Sequence, residues 1–210
     1  MVERGGERLA LTSEHALWQH RAAPKAGHGV RWRDVRRTWK PVGTVAELSS
    51  AQTGSLDFSD SALVRLEVVP RLDYDWMARA WSDEVPVRRI RKVVRDPVTP
   101  TEALAHRAIV AKVGATTRLT VGVVEKIPKR IKVRECADSP ETFHVRPLSF
   151  VGYTSWNFCD EGDSGSCVWC TFGDGVMRPL ALLCSTSFGY RGIGIPIMRV
   201  LDVHGATIVI

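Results

Sequence analysis

The chain has 210 residues, of which 44% are hydrophobic and 25% are charged. This composition is typical of a globular protein and argues against a disordered chain. The net charge of +6 would permit contact with an acidic substrate or with nucleic acid, but no nucleic-acid-binding motif accompanies it. No apolar run approaches the length of a membrane span. We therefore expect neither nucleic acid nor a membrane as a partner.

The cysteines and the N-terminus bear on the compartment. The five cysteines, Cys136, Cys159, Cys167, Cys170 and Cys184, cannot all pair within one chain. The first residues lack the basic start, apolar run and cleavage site of a signal peptide. We expect free thiols, and a cytoplasmic location if the N-terminus is the natural one. The compartment itself stays open.

Short strand-like segments follow one another along the chain. Residues 61–69 alternate apolar and polar side chains, and further β-branched runs occupy 109–112, 117–124, 131–133, 145–151, 167–172 and 180–183. Helical patterns occur at 73–82 and 101–106, while 195–203 fits a helix and a strand equally well. Many short strands separated by turns predict an all-β barrel or sandwich.

A proline-containing, charged stretch divides the chain. We assign residues 86–104 to a linker, which leaves a first domain at 1–85 and a second at 105–210.

The segment Gly162–Ser166 (GDSGS) has the residues that acyl transfer needs. A serine hydroxyl such as that of Ser164 is a weak nucleophile without a base, and the developing oxyanion needs fixed N–H donors. A glycine two residues earlier lets the backbone turn so that both N–H groups point the same way. Asp163 can anchor the turn, although its partner is not evident. Gly, Asp and Ser are also the usual residues of a polar β-turn, so the motif alone leaves that reading open.

A serine nucleophile requires a histidine base and an acid that orients it. Among six histidines, His15 directly follows the strand-like residues 9–11, where a rigid scaffold can aim it. Asp60 immediately precedes the apolar run that begins at residue 61, so its carboxylate can be held in a fixed position. Asp57 is the competing acid, three residues earlier.

His15 in LTSEH, Asp60 in DSALV and Ser164 in GDSGS resemble the chymotrypsin/trypsin-like serine peptidases in residue type and in chain order. The runs 112–122 and 195–197 resemble parts of the second barrel of fungal and bacterial members. The resemblance implies an all-β, two-barrel fold with a short C-terminal helix. We expect an incomplete N-terminal barrel in residues 1–85, because only 14 residues precede His15.

The resemblance also implies a mechanism. His15 would act as general base and Asp60 would orient it, while Ser164 would attack the substrate. The backbone N–H groups of Gly162 and Ser164 would form the oxyanion hole. This implies a serine endopeptidase that acts on proteins or peptides and needs neither a metal nor an organic cofactor.

The substrate pocket is expected near Phe158, Asp160, Cys184 and Ser185. Asp160 would favour basic substrates, whereas Phe158 would favour aromatic or aliphatic ones. Two other functions stay open: a peptidase-like binding domain with impaired catalysis, and a basic binding module unrelated to peptidases.

Overall fold

A computed structural model describes residues 1–17, 24–33, 38–49, 60–67, 90–126, 143–147, 157–187 and 191–210, with the backbone alone at 32–33, 126, 143–147 and 185–187. The strands within these ranges are β1 (Val2–Arg4), β2 (Glu7–Ser13), β3 (Gly29–Arg33), β4 (Trp39–Leu48), β5 (Ser61–Leu66), β6 (Lys92–Val93), β7 (Ile109–Gly114), β8 (Arg118–Lys126), β9 (Phe143–Pro147), β10 (Cys167–Thr171), β11 (Val176–Ser187), β12 (Arg191–Pro196) and β13 (Thr207–Ile208). The helices are α1 (Pro100–Ala105) and α2 (Ile197–His204), and a 3-10 turn spans His15–Leu17.

The first sheet is six-stranded, in the order β13-β1-β2-β5-β4-β3, with antiparallel neighbours. β2 and β5 pair so that Ser13 lies opposite Ser61. The residues just after Ser13 and just before Ser61 are therefore side by side, and the N–H of Glu14 donates to the carbonyl of Asp60 at 3.1 Å. This register brings His15 next to Asp60.

The second sheet closes into a barrel. Its order is β10-β7-β8-β9-β12-β11, and a further antiparallel pairing of β10 with β11 joins the two ends. β6 adds to the outside of this ring by parallel pairing with β11. A core of fully buried side chains, among them Val110, Phe158, Val168 and Leu183, fills the interior. Burial of this apolar surface is the main source of stability for the second half of the chain.

The two ends of the chain meet in the first sheet. β13 pairs with β1, so a strand from the C-terminal end extends the sheet beyond the two strands, β1 and β2, that precede His15. The backbone N–H of Val209 also donates to the carbonyl of Met1 at 3.1 Å. The boundaries 1–85, 86–104 and 105–210 stay a prediction.

The expectation of an all-β, two-barrel fold with a short C-terminal helix is confirmed. Residues 195–203, which fitted a helix or a strand, comprise the end of β12 and most of α2, which ends at His204 and is capped by Gly205 in the left-handed conformation (φ 56°). The predicted helix at 73–82 and the strand at 131–133 lie outside the described residues. None of the helices in the described ranges is long and apolar enough to cross a membrane.

Candidate active site

His15 and Asp60 form a hydrogen-bonded pair. Nδ1 of His15 lies 2.6 Å from Oδ2 of Asp60, and the backbone N–H of His15 donates to Oδ1 at 3.1 Å. The Asp60 side chain is only 2% exposed, whereas that of His15 is 32% exposed. The carboxylate is thus enclosed behind the ring, and the imidazole keeps a face toward solvent.

The backbone of Asp60 is strained. Its φ of +42° lies in the left-handed region, which a non-glycine residue adopts at a cost of about 1–2 kcal/mol. Three hydrogen bonds hold it there: Glu14 N–H to its carbonyl, and His15 N–H and Nδ1 to its carboxylate. This combination of strain and dense hydrogen bonding is typical of functional sites.

Ser164 lies in a tight turn with glycines on both sides. Gly162 and Gly165 have φ of +95° and +88°, which glycine adopts without steric cost. The turn is closed by hydrogen bonds from Asp163 N–H to the Asp160 carbonyl at 3.1 Å and from Ser166 Oγ to the Asp163 carbonyl at 2.6 Å. Ser164 itself is partly exposed.

The turn that carries Ser164 packs against the strand that leads to His15. The carbonyl of Leu183 accepts from both Gly165 N–H, at 2.8 Å, and Ser13 Oγ, at 2.9 Å. A Cβ atom on Gly165 would lie 2.2 Å from Thr12 Oγ1 and 2.9 Å from Ser13 N. The residue after Ser164 therefore contacts β2 two to three residues before His15, and only glycine fits there.

Asp163 is fully buried, and Lys112 is its counter-charge. Lys112 Nζ lies 3.0 Å from Asp163 Oδ2, and both side chains are 0% exposed. Thr116 N–H and Thr117 N–H donate to Oδ1 at 2.7 and 3.2 Å, while Thr117 Oγ1 donates to Oδ2 at 2.6 Å. Asp160 N–H adds a further donor to Oδ2 at 3.2 Å. A buried carboxylate needs this degree of compensation.

These contacts keep Asp163 ionised. Burial on its own raises the pKa of Asp163, but the hydrogen bonds from Thr117 and Thr116 and the charge of Lys112 outweigh it and leave the pKa below its ordinary value. Burial lowers the pKa of Lys112, and the Asp163 carboxylate opposes that effect. The result is a charged anchor directly beneath the Ser164 turn.

The fold was compared with solved structures. A glutamic-acid-specific serine protease that uses a histidine triad in substrate binding matches with a TM-score of 0.57 and 18% identity, over 99% of this chain and 90% of that one. Thermobifida fusca protease A matches with a TM-score of 0.58 and 16% identity, over 99% and 88%. Cellulomonas bogoriensis chymotrypsin matches with a TM-score of 0.52 and 15% identity, over 95% and 84%.

The chain has the chymotrypsin-like fold. At the level of sequence, no family model matches it and neither does any curated protein. The expected resemblance to bacterial members of the chymotrypsin-like proteases is confirmed as a likeness of fold.

Within this chymotrypsin-like fold, the predicted pocket residues differ in exposure. Phe158 is completely buried in the second barrel, where its ring would lie 2.6 Å from a Cβ added to Gly192. Cys184 is also buried, and Asp160 is exposed. Ser185 lies in β11, but its side chain is outside the described set. Their role in a substrate pocket stays a prediction.

Lys112 is the residue at this site that sequence reasoning missed. In β7 it shares a strand face with Val110 and Gly114, both of which are buried. A lysine on the inward face of a strand requires a buried carboxylate, so the pattern of β7 could have indicated an acidic partner for Lys112 without saying which one. Gly114 makes the room, since a Cβ there would lie 2.2 Å from Asp163 Oδ1.

Proposed function

We propose that this chain is a serine endopeptidase in which Ser164 is the nucleophile, His15 the general base and Asp60 the group that orients His15. The observation that carries the proposal is the 2.6 Å contact between His15 Nδ1 and the enclosed carboxylate of Asp60. A carboxylate in this position accepts a hydrogen bond from Nδ1–H, so Nε2 keeps the lone pair that a base needs.

The surroundings of Ser164 support its role as nucleophile. The turn that carries it is stabilised by the buried ion pair of Asp163 with Lys112, and it packs against β2 at Gly165. Gly162 and Ser164 flank Asp163, and their backbone N–H groups are the donors that we assign to the oxyanion hole. A rigid turn suits this task, because donors that are already oriented need no reorganisation when charge develops.

The proposed reaction has two steps. Ser164 Oγ bonds to the carbonyl carbon of the scissile peptide while its proton moves to His15 Nε2. The C–N bond then breaks, the amine leaves with that proton, and an acyl-enzyme remains. Water then bonds to the acyl carbon while one of its protons moves to His15 Nε2. The ester C–Oγ bond breaks, the carboxylic acid product leaves, and that proton passes to Ser164 Oγ. Asp60 accepts the hydrogen bond from Nδ1–H and stabilises the imidazolium in both steps.

We assign proteins or peptides as the substrate class. Of the solved structures with this fold, one is described as a serine protease and another as a protease. This is the function that the described geometry supports best.

A fluorophosphonate probe tests the proposal, because it reacts with an activated serine whatever the substrate specificity. We expect Ser164→Ala to abolish labelling. We expect His15→Ala and Asp60→Asn each to slow it by about 10⁴-fold, since either change removes the oriented base. Ser166→Ala is the matched control: it removes the Oγ bond to the Asp163 carbonyl, but the backbone N–H of Ser166 still donates to that carbonyl at 3.1 Å, so the turn and the labelling of Ser164 should persist.

Three results would contradict the proposal. Labelling that persists in Ser164→Ala would mean that the nucleophile is wrongly assigned, and so would labelling that disappears only in Ser166→Ala. A folded protein that takes up no probe would favour the peptidase-like binding domain instead. Circular dichroism of each variant separates loss of chemistry from loss of fold.

A further inference from the structure

A second hydrogen-bonded group of a serine, a histidine and a carboxylate begins at the residue that directly follows Asp60. Ser61 Oγ is 2.9 Å from Nε2 of His204, and Nδ1 of His204 is 2.8 Å from Oε1 of Glu47. Arg4 pairs with the other oxygen of Glu47. Ser61 and the His204 side chain are both 0% exposed. A hydroxyl that is fully enclosed cannot meet a substrate, so this arrangement is not a second nucleophilic site.

Its position suggests another role. Ser61 directly follows Asp60, at the point where the backbone leaves the left-handed conformation and enters β5. The Ser61 N–H donates to Ser49 Oγ at 2.8 Å, and its carbonyl accepts from Ser49 N–H at 2.8 Å. The side chain of Ser61 forms a hydrogen bond with His204, the last residue of helix α2. This hydrogen bond connects the end of the helix to the residue next to Asp60.

The electrostatics hold His204 in one orientation. Burial raises the pKa of Glu47, but hydrogen bonds from His204 and Arg4 outweigh it and leave that pKa below its ordinary value. An ionised Glu47 accepts a hydrogen bond from Nδ1–H of His204, which leaves Nε2 to accept a hydrogen bond from the Ser61 hydroxyl. Both ring nitrogens have partners, so the ring is fixed on both sides. A fully buried imidazole needs such partners.

We propose that His204 is a positioning residue for Asp60: bound between Glu47 and Ser61, it fixes the strained backbone that aims the Asp60 carboxylate at His15. The inference rests on the proposed function, since orienting His15 matters for catalysis only if His15 is the base. Through this contact the C-terminal helix, which follows the second barrel, supports a residue of the first sheet. Small displacements of a catalytic group can cost about 10²-fold in rate, so such support is significant.

Nitrogen-15 NMR of the free protein tests the proposal directly. Long-range ¹H–¹⁵N spectra report which ring nitrogen of His15 carries the proton. We expect the wild type to hold it on Nδ1, and His204→Ala and Ser61→Ala to give a mixture of tautomers. His204→Gln, which retains a polar partner for Ser61, should restore most of the wild-type pattern. Asp60→Asn supplies the reference spectrum for a His15 without its orienting carboxylate.

Kinetics supply the second readout. With a peptide substrate, His204→Ala and Ser61→Ala should lower kcat by about 10-fold while KM changes by less than about 2-fold, because the base is misaligned and substrate contacts are intact. Val200→Ala is the matched control. Val200 is buried on the same face of helix α2, one turn before His204, and packs in an apolar cluster. It should lower stability but leave the His15 tautomer and kcat unchanged.

The proposal is overturned if the tautomer of His15 is the same in wild type, His204→Ala and Ser61→Ala. It is also overturned if Val200→Ala causes the same change as His204→Ala. The NMR measurement needs no substrate, so it separates the two proposals. A protein whose Ser164 takes up no probe, but whose His15 tautomer responds to His204→Ala, would refute the peptidase and leave the positioning role standing.

Discussion

Replacing Lys112 with methionine should destabilise the protein strongly, because it leaves Asp163 buried without its counter-charge. The two side chains are 0% exposed and 3.0 Å apart. Removing one partner of a buried ion pair costs about 3–5 kcal/mol. Thr116, Thr117 and Asp160 would still donate hydrogen bonds to the carboxylate, so we expect a loss near the lower limit, about 3 kcal/mol.

Urea unfolding at pH 7 measures this loss, and a pH series checks its origin. The pKa of Asp163 is lowered in the folded state, so the stability that its charge contributes is fully present above the unfolded pKa, about 3.9. That stability is lost as the pH falls through the folded pKa. The difference between wild type and Lys112→Met should therefore shrink as the pH falls below about 3.9 and through the lower folded pKa, below which Asp163 is neutral in both states.

A double-mutant cycle with Asp163→Asn gives the coupling between the two side chains. We expect the double variant to be less destabilised than the sum of the single variants, by about 1–3 kcal/mol. Additive effects, or a loss below about 1 kcal/mol for Lys112→Met alone, would refute the reasoning that this pair anchors the Ser164 turn.

The remaining predictions concern the same turn and the thiols. Gly165→Ala should abolish probe labelling and lower the free energy of unfolding by more than about 2 kcal/mol, since the new methyl group would meet Thr12 and the backbone of β2. Gly173→Ala is the control: its φ of +81° is similar but the space around it is open, so it should cost only about 1–2 kcal/mol and leave labelling intact. Burial raises the pKa of Cys159 and Cys170 to about 12, and both side chains are fully buried, so these thiols should resist Ellman's reagent at pH 8 and react after unfolding in urea. Rapid reaction of either thiol in the native protein would contradict its burial.

Much of the local structure could be predicted from the sequence. Residues 61–69, 109–112 and 167–172 alternate or cluster β-branched side chains, and the strands β5, β7 and β10 begin at residues 61, 109 and 167. The helix predicted at 101–106 is α1 (Pro100–Ala105), and Thr99 Oγ1 caps it by accepting from Glu102 N–H at 3.2 Å. These features depend on neighbours within a few residues, which is why the sequence pattern reveals them.

In the candidate site, too, local features could be predicted from the sequence and long-range contacts could not. His15, Asp60 and Ser164 were identified from their motifs and their order, because each stands next to a recognisable strand or turn. The adjacency of His15 and Asp60 depends on the register of β2 with β5, in which Ser13 faces Ser61. A pattern of apolar residues can predict that two strands exist, but it does not say which strands pair or in what register.

The sequence by itself determined the class of fold, the residue types of the site and the glycine turn around Ser164. The tertiary structure decided which distant residues support that site. Lys112 reaches Asp163 across 51 positions because the second barrel closes, and His204 reaches Ser61 across 143 positions because the C-terminal helix packs on the first sheet. Such partners are brought together by the packing of whole sheets, and no local pattern in the chain encodes a contact of that range.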